Sequence, residues 1–275
     1  MSKVLIVKNK DKRIQFIHDY LKIRLNINEI EDKVQLLTEV ENNDFDYVIL
    51  PIRGVNNDFV IDGTDIKLTE NYLMKLKNKK IFTGIISEDF KNLCDKHQID
   101  LVSYFTDDLA IKNNYITTEG VIETIVNNSE KAIFSSNILI IGYGRLGQIN
   151  ANVLKSMKAD ITVVARDHKD IVHGKICDLK MINYQQMLND ITKFDFIINT
   201  VPYKIIDNFV LDKLIDKDIL IIDVASEPYG LNHQYAFKEN IKTILLPGIP
   251  GKIAPQTSGK LIAEFIYQNI YGGEY

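Results

Sequence analysis

The feature that most limits what this chain can fold into is the apolar run Asn137-Ile138-Leu139-Ile140-Ile141, followed without a break by Gly142-Tyr143-Gly144-Arg145-Leu146-Gly147. The apolar run reads as a buried strand. After the glycines, Leu146, Ile149, Val153, Leu154 and Met157 form one stripe at helical spacing, and Ile161-Thr162-Val163-Val164 supplies a second strand. A G-x-G-x-x-G alone says little. One that closes a strand and opens a helix inside a βαβ unit of about 30 residues is the fingerprint of a dinucleotide-binding domain. Gly142 suits the tight turn, Gly144 lets a pyrophosphate approach bare backbone, and Gly147 lets the helix close on the strand. The helix start then presents unpaired N–H groups and the positive end of its dipole to the phosphates.

The end of the second strand bears on which dinucleotide binds. An NAD site usually carries a carboxylate there for the ribose 2′-hydroxyl. Here the strand runs out as Val164-Ala165-Arg166-Asp167, so Ala165 takes the acidic place and Arg166 follows. A guanidinium pairs with a 2′-phosphate and stacks on adenine, which favours NADP(H). Asp167 would restore an acidic partner if the register slipped. Three further apolar runs end in Asn199-Thr200-Val201-Pro202, in Asp223-Val224-Ala225-Ser226, and in Leu246-Pro247-Gly248-Ile249-Pro250-Gly251. Ligands in open α/β sheets sit beyond the carboxyl ends of the strands. The expected cofactor contacts are therefore Gly142 to Gly147 (Tyr143, Gly144, Arg145 and Leu146 included), Ala165, Arg166, Asp167, Thr200, Val201, Pro202, Val224, Ala225 and Ser226.

The first half also alternates strand and helix patterns. Val4 to Val7, Tyr47 to Leu50 before Pro51, Lys80 to Gly84, and Leu101-Val102 read as strands, with helical stripes between them such as Ile14, Ile17, Leu21 and Leu68, Tyr72, Leu73, Leu76. The expected fold class is α/β, with two doubly wound domains, the second of Rossmann type, joined by a long helix. The expected boundaries are residues 1–115 for a substrate or partner domain and 116–134 for the connecting helix, opened by Thr117-Thr118-Glu119-Gly120. Residues 135–254 form the Rossmann domain, and 255–275 a terminal helix able to cross back to the first domain, with Pro255 suited to its first turn.

A length of 275 residues accommodates two such domains, and a net charge of −4 gives no sign of a nucleic-acid or anionic-membrane surface. The apolar runs are too short to span a bilayer, and the start of the chain lacks a signal-peptide pattern. Cys94 and Cys177 stand far apart, and His18, His97, His168, His173 and His233 show no metal-ligand spacing. A cytoplasmic chain without a metal centre is expected.

Several of these stretches together resemble the A subunits of dipicolinate synthase from endospore-forming bacteria. They are Gly142 to Gly147, Asn199 to Pro202, Asp223 to Ser226 and, above all, the proline- and glycine-punctuated stretch 246–259. Ile49-Leu50-Pro51, Ile81-Phe82-Thr83-Gly84-Ile85 and Thr117-Thr118-Glu119-Gly120 carry the likeness into the first half. The resemblance implies NADP-linked formation of dipicolinate, the spore-core calcium chelator, from a dihydro- or hydroxytetrahydro-dipicolinate precursor. It also implies a partner, a flavoprotein-like B subunit, and places the chain in the mother cell of a sporulating bacterium. One departure stands out. The first strand leads into Lys8-Asn9-Lys10-Asp11 rather than a glycine turn, which argues against a second nucleotide site.

A dicarboxylate substrate calls for cationic or N–H donors. Arg53, beside Pro51, is the first candidate. Ser226, Lys252 and Thr257 are expected from the cofactor side, with Thr83, Gly84 and Thr117 on the opposite wall. Each reads equally well as an ordinary loop residue. Glu119 is a base or a helix cap, with the cap preferred. Two other functions stay open: another two-domain dehydrogenase acting on shikimate or a 2-hydroxyacid, and a non-catalytic NADP-binding regulatory subunit. Neither a lysine–aspartate motif nor a histidine near the last strand tips supports the first, since His233 reads as part of a polar loop. Self-association is left open.

Overall fold

Strands buried on both faces must be continuously apolar, and parallel strands need helical crossovers. Both requirements are met twice along this chain. The computed structural model describes residues 3–42 and 44–272 and divides into two units, residues 1–110 with 254–275, and residues 111–253.

In the first unit the order is β1 (Lys3–Val7), α1 (Lys12–Leu21), β2 (Asn26–Ile30), α2 (Lys33–Asn42), β3 (Tyr47–Ile49), α3 (Glu70–Lys75), β4 (Lys80–Thr83), α4 (Glu88–Lys96) and β5 (Asp100–Ser103). The strands form one parallel sheet in the order β2-β1-β3-β4-β5. Alternate residues leave opposite faces of a strand. Leu5, Val7, Val48 and Ile81 therefore pack with Leu36, Leu73 and Phe90 on one face. Val4, Ile6, Ile49 and Phe82 pack with Ile14, Ile17 and Leu21 of α1 on the other. The second face is completed from the far end of the chain by Ile262, Ala263 and Ile266. Gly259 lets that segment approach closely, because a Cβ there would fall 2.8 Å from the Arg13 carbonyl oxygen and 2.8 Å from Phe16 Cβ.

α5 (Asp107–Asn128) is a continuous helix, and the division between the units falls within it. The second unit continues with β6 (Asn137–Ile141), α6 (Arg145–Ser156), β7 (Asp160–Val164), α7 (His168–Ile176), β8 (Lys180–Ile182), α8 (Tyr184–Asp190), β9 (Phe196–Asn199), α9 (Asn208–Asp212), β10 (Leu220–Asp223), α10 (His233–Lys238), β11 (Thr243–Leu245) and α11 (Ile249–Ile253). The closing helix α12 (Pro255–Tyr271) counts with the first unit. The second sheet, order β11-β10-β9-β6-β7-β8, is parallel throughout and reverses its strand order between β6 and β9, as a Rossmann sheet does. Val121, Ile125, Ile138, Ile140 and Leu154 fill one face, and Leu139, Ile141, Ile197, Val210 and Ile221 the other.

The structure draws several boundaries differently from the sequence. The long helix begins at Asp107 rather than at Thr117 and ends at Asn128, so residues 129–134 lie outside it. Thr106 is the cap, its hydroxyl accepting from the Leu109 N–H at 3.3 Å, and Asp107 and Asp108 suit the first turn. Thr117 and Thr118 sit mid-helix, where their hydroxyls donate back to the Asn113 and Asn114 carbonyls, at 3.0 and 2.9 Å. Glu119, exposed in the middle of α5, caps nothing. Ile249-Pro250-Gly251 belongs to the short helix α11 rather than to a loop. Met157 lies outside the buried stripe of α6, which is built by Gly147, Ile149, Asn150, Ala151 and Leu154.

Candidate functional site

A cavity of 1110 Å³ opens in the second unit over the carboxyl ends of β6, β7, β9 and β10. Its floor is the glycine turn. Gly142 has φ +100°, a conformation that favours glycine, and a Cβ there would lie 2.5 Å from Thr200 Oγ1. Gly147 meets the turn so closely that a Cβ would fall 2.1 Å from the Gly142 carbonyl oxygen. Around Gly144 the opposite holds, because a Cβ there would meet nothing within 4 Å among the described residues. Gly144 is also the N-cap of α6 and brings no capping side chain, so the first-turn N–H groups have no acceptor within the helix. A tight turn, open space above it and N–H donors that the helix itself leaves unserved are what an anionic phosphate pair needs. The donor set of this cradle therefore fits a dinucleotide.

Neighbouring side chains steady the turn. Gln148 Nε2 donates to the Tyr143 carbonyl at 3.0 Å, and Thr200 Oγ1 donates to the Ile141 carbonyl at 2.9 Å. Tyr143 is buried. Burial, and then the nearby Cys177 and Asp170, push its phenol up to about 12, so it is a neutral group at ordinary pH. Arg145 and Leu146 also line the cavity.

At the β7 end, Ala165 is 5% exposed and its N–H pairs with the Ile182 carbonyl, which fixes the register. Arg166 then points into solvent with its side chain 94% exposed, 3.3 Å from Asp167 Oδ1. Asp167 is the N-cap of α7, two residues beyond the place where a ribose-binding carboxylate would stand. Asn183, Tyr184 and Gln185, at the start of α8, line the same end of the cavity. They stand next to the short strand β8, whose three residues gave no clear sequence pattern.

The β9 and β10 tips are tied to each other through buried polar groups. Asp223 is fully buried, and its carboxylate accepts from Asn199 Nδ2 at 2.8 Å, the Ala225 N–H at 3.1 Å and the Gly230 N–H at 2.9 Å. His233 Nε2 lies 3.2 Å from the same carboxylate. Asn199 in turn bonds the Val201 backbone, accepting from its N–H at 3.2 Å and donating to its carbonyl at 3.0 Å. This network sets the loops carrying Thr200, Val201 and Pro202 and carrying Val224, Ala225 and Ser226, all of which line the cavity. It also corrects the expectation for His233. That residue opens α10 and reaches the tip of β10, because the intervening loop folds back with Gly230 against Asn199.

The expected substrate residues are placed as follows. Pro51 and Thr83 are buried and joined, Thr83 Oγ1 donating to the Pro51 carbonyl at 3.4 Å. Gly84 packs on the Ile52 carbonyl oxygen, 2.2 Å from where its Cβ would be. Arg53 is exposed on the loop that follows β3. All four lie in the first unit, as does exposed Thr257 on α12. Thr117, its hydroxyl committed within α5, and exposed Lys252 on α11 lie in the second.

Residues 10–105 match the family model for the N-terminal domain of the dipicolinate synthase A subunit. Over 236 residues the chain is 29% identical to the dipicolinate synthase A subunit of Bacillus subtilis (strain 168), spanning 84% of this chain and 79% of that protein. The crystal structure of the dipicolinate synthase A subunit from Bacillus halodurans superposes with a TM-score of 0.85 at 26% identity, covering 98% of this chain and 97% of that one. D-lactate dehydrogenase from Escherichia coli shares the fold alone, at TM-score 0.66 and 11% identity over 99% of this chain and 98% of that one. The likeness carried by the sequence motifs is thus shown by a family model, a relative and a solved structure. Among the described residues, no helix is long and apolar enough to cross a membrane.

Proposed function

We propose, from that likeness and from the cavity over the glycine turn, that this chain is the NADP(H)-binding A subunit of a dipicolinate synthase. The observation that carries the cofactor choice is the end of β7. Ala165 stands where an NAD site keeps its carboxylate, and the exposed Arg166 guanidinium, paired only at the surface with Asp167, can turn to a 2′-phosphate. When bound, NADP supplies the hydride acceptor. Gly142, Gly144 and the first turn of α6 hold the pyrophosphate, with Tyr143, Arg145, Leu146 and Gly147 shaping the turn. Thr200, Val201, Pro202, Val224, Ala225 and Ser226 orient the rest of the dinucleotide.

The substrate on this view is a dihydro- or hydroxytetrahydro-dipicolinate, with Arg53 meeting one carboxylate. Pro51, Thr83, Gly84 and Thr257 are further proposed substrate residues in the first unit, and Thr117 and Lys252 are those proposed in the second. Oxidation of a dihydropyridine ring gains aromaticity, so the protein has to do little beyond orienting the ring and letting one proton leave. Glu119, exposed on α5, is a candidate to take that proton. A flavoprotein-like B subunit is the proposed partner, in the cytoplasm of a sporulating mother cell.

Calorimetry with Arg166→Asp tests the cofactor assignment. NADP affinity should fall at least tenfold more than NAD affinity, since one charge-assisted contact is worth about 1.5–3 kcal/mol. Equal weakening of both overturns the 2′-phosphate role. Ultraviolet detection of dipicolinate from enzymatically generated precursor, with and without the B subunit, tests the activity. No turnover in either mixture overturns the synthase assignment and leaves a regulatory nucleotide-binding subunit.

A further inference from the structure

The first sheet has a topological switch point of its own. Its strand order turns back between β1 and β3, and such switch points open a crevice beyond the strand ends. The loop after β1 has no glycine and cannot cradle a pyrophosphate. It places charged groups there instead. Asp11 caps α1, accepting from the Arg13 N–H at 3.0 Å, and takes the Arg13 guanidinium through Nη2 at 2.6 Å and Nε at 3.0 Å. Asn9 braces this loop, its Oδ1 accepting from the Asp11 N–H at 3.0 Å and its Nδ2 donating to Asp62 Oδ2 at 3.2 Å. On the facing loop stands Arg53, whose charge is felt at Asp11 and which makes no ion pair among the described residues.

Tyr104 directly follows β5 and packs in the same core as Ile14 and Ile17 of α1. It is fully buried, and its hydroxyl has no hydrogen-bond partner among the described residues, although the charges of Arg13, Asp11 and Asp62 act on it. An unmade hydrogen bond at a buried hydroxyl is costly, and the neighbouring groups show how it can be made. Arg13 now occupies Asp11. If Arg13 turns to an incoming anion, Asp11 is free to accept from the Tyr104 hydroxyl.

We propose that the β1/β3 crevice of the first unit is a carboxylate subsite in which Arg53 and Arg13 take one carboxylate of a small dicarboxylic acid while Tyr104 replaces Arg13 on Asp11. The choice of a dicarboxylate rests on the function proposed above, whereas the partner exchange does not depend on nucleotide. Arg13, Asp11 and Tyr104 then each have a partner in the liganded state, and the hydrogen bond gained by Tyr104 favours that state over the empty one. Arg53 is a binding residue, and Tyr104 a positioning residue that acts through Asp11.

The test uses the full chain without nucleotide, with pyridine-2,6-dicarboxylate as the probe in calorimetry and NADPH fluorescence as the control. Arg53→Gln should weaken the probe by tenfold or more. Tyr104→Phe should weaken it about five- to tenfold. In the absence of probe, Tyr104→Phe should not lower the thermal midpoint, because the hydroxyl it removes is unpaired there. NADPH affinity should be unchanged in both variants. Wild-type probe affinity in Tyr104→Phe, or a lowered midpoint without probe, overturns the exchange. A wild-type chain that binds NADPH but no dicarboxylate overturns the subsite and leaves the nucleotide site standing. One that binds the dicarboxylate through these residues but no nucleotide supports the subsite and overturns the cofactor assignment.

Discussion

Replacing Asp223 by alanine removes the acceptor on which two strand tips converge. Four donors face the carboxylate in the native protein, at 2.8, 3.1, 2.9 and 3.2 Å. His233, with a side chain 26% exposed, can turn to water and loses little. The Asn199 amide and the Ala225 and Gly230 N–H groups have no such recourse, because the carboxylate they serve is fully buried. A stranded buried donor costs about 1–3 kcal/mol, so the lower figure for three donors gives a loss of about 3 kcal/mol. For a unit the size of residues 111–253, each kcal/mol moves the thermal midpoint by about 2–4 °C, and the expected fall is about 6–12 °C. Asp223→Asn keeps one acceptor oxygen and should fall by roughly half as much. NADPH affinity, read by fluorescence, should drop with the midpoint, because the loops carrying Thr200 to Pro202 and Val224 to Ser226 lose their common anchor. A shift below about 2 °C for Asp223→Ala with unchanged NADPH affinity would show that the network neither stabilises the unit nor sets the site.

Two glycines in one turn should respond oppositely. Gly144→Ala meets no atom of the described residues within 4 Å and should leave the thermal midpoint unchanged while weakening NADPH at least tenfold in titration, since its methyl group occupies the phosphate space. Gly147→Ala forces its methyl group against the Gly142 carbonyl, so it should lower stability by about 1–3 kcal/mol in urea unfolding and weaken NADPH as well. A further prediction concerns pH. Burial pushes the Asp11 carboxyl up, but the Arg13 side chain and N–H outweigh it, with Arg53 adding to them, and hold the group below its ordinary 3.8. A lowered carboxylate stabilises the fold above the unfolded value, and that contribution is lost as pH falls from about 4 through the native value. Thermal scans should show wild type losing this part of its stability in that window, and Asp11→Asn lacking it at neutral pH.

Both sheets and the glycine turn were legible because strands buried on two faces leave unbroken apolar runs, as at Ile138 to Ile141 and Phe196 to Ile198. β2 was missed because it is an edge strand, reading Asn-Ile-Asn-Glu-Ile with only Ile30 buried. An edge strand needs one covered face and so shows half the signal. The start of α5 was hidden for another reason. Thr117 and Thr118 look like helix caps, and only the i−4 carbonyls available inside a formed helix show that they are not. The Asp223–Asn199–His233 network was out of reach in principle, since its members are far apart in sequence and meet only when β9 and β10 pair. The Asp223-Val224-Ala225-Ser226 tip was visible, but not what its carboxylate holds.

The interrupted make-up of the first unit has a consequence for how the chain is made. Its five strands leave the ribosome early, yet the α1 side of its sheet waits for Ile262, Ala263 and Ile266, which come after all of residues 111–253. During translation the nucleotide-type unit can reach its finished form while the earlier one still lacks the part of its core that Ile262, Ala263 and Ile266 supply. The half made first is therefore the half completed last, and that greasy flank is where a chaperone would find its longest opportunity.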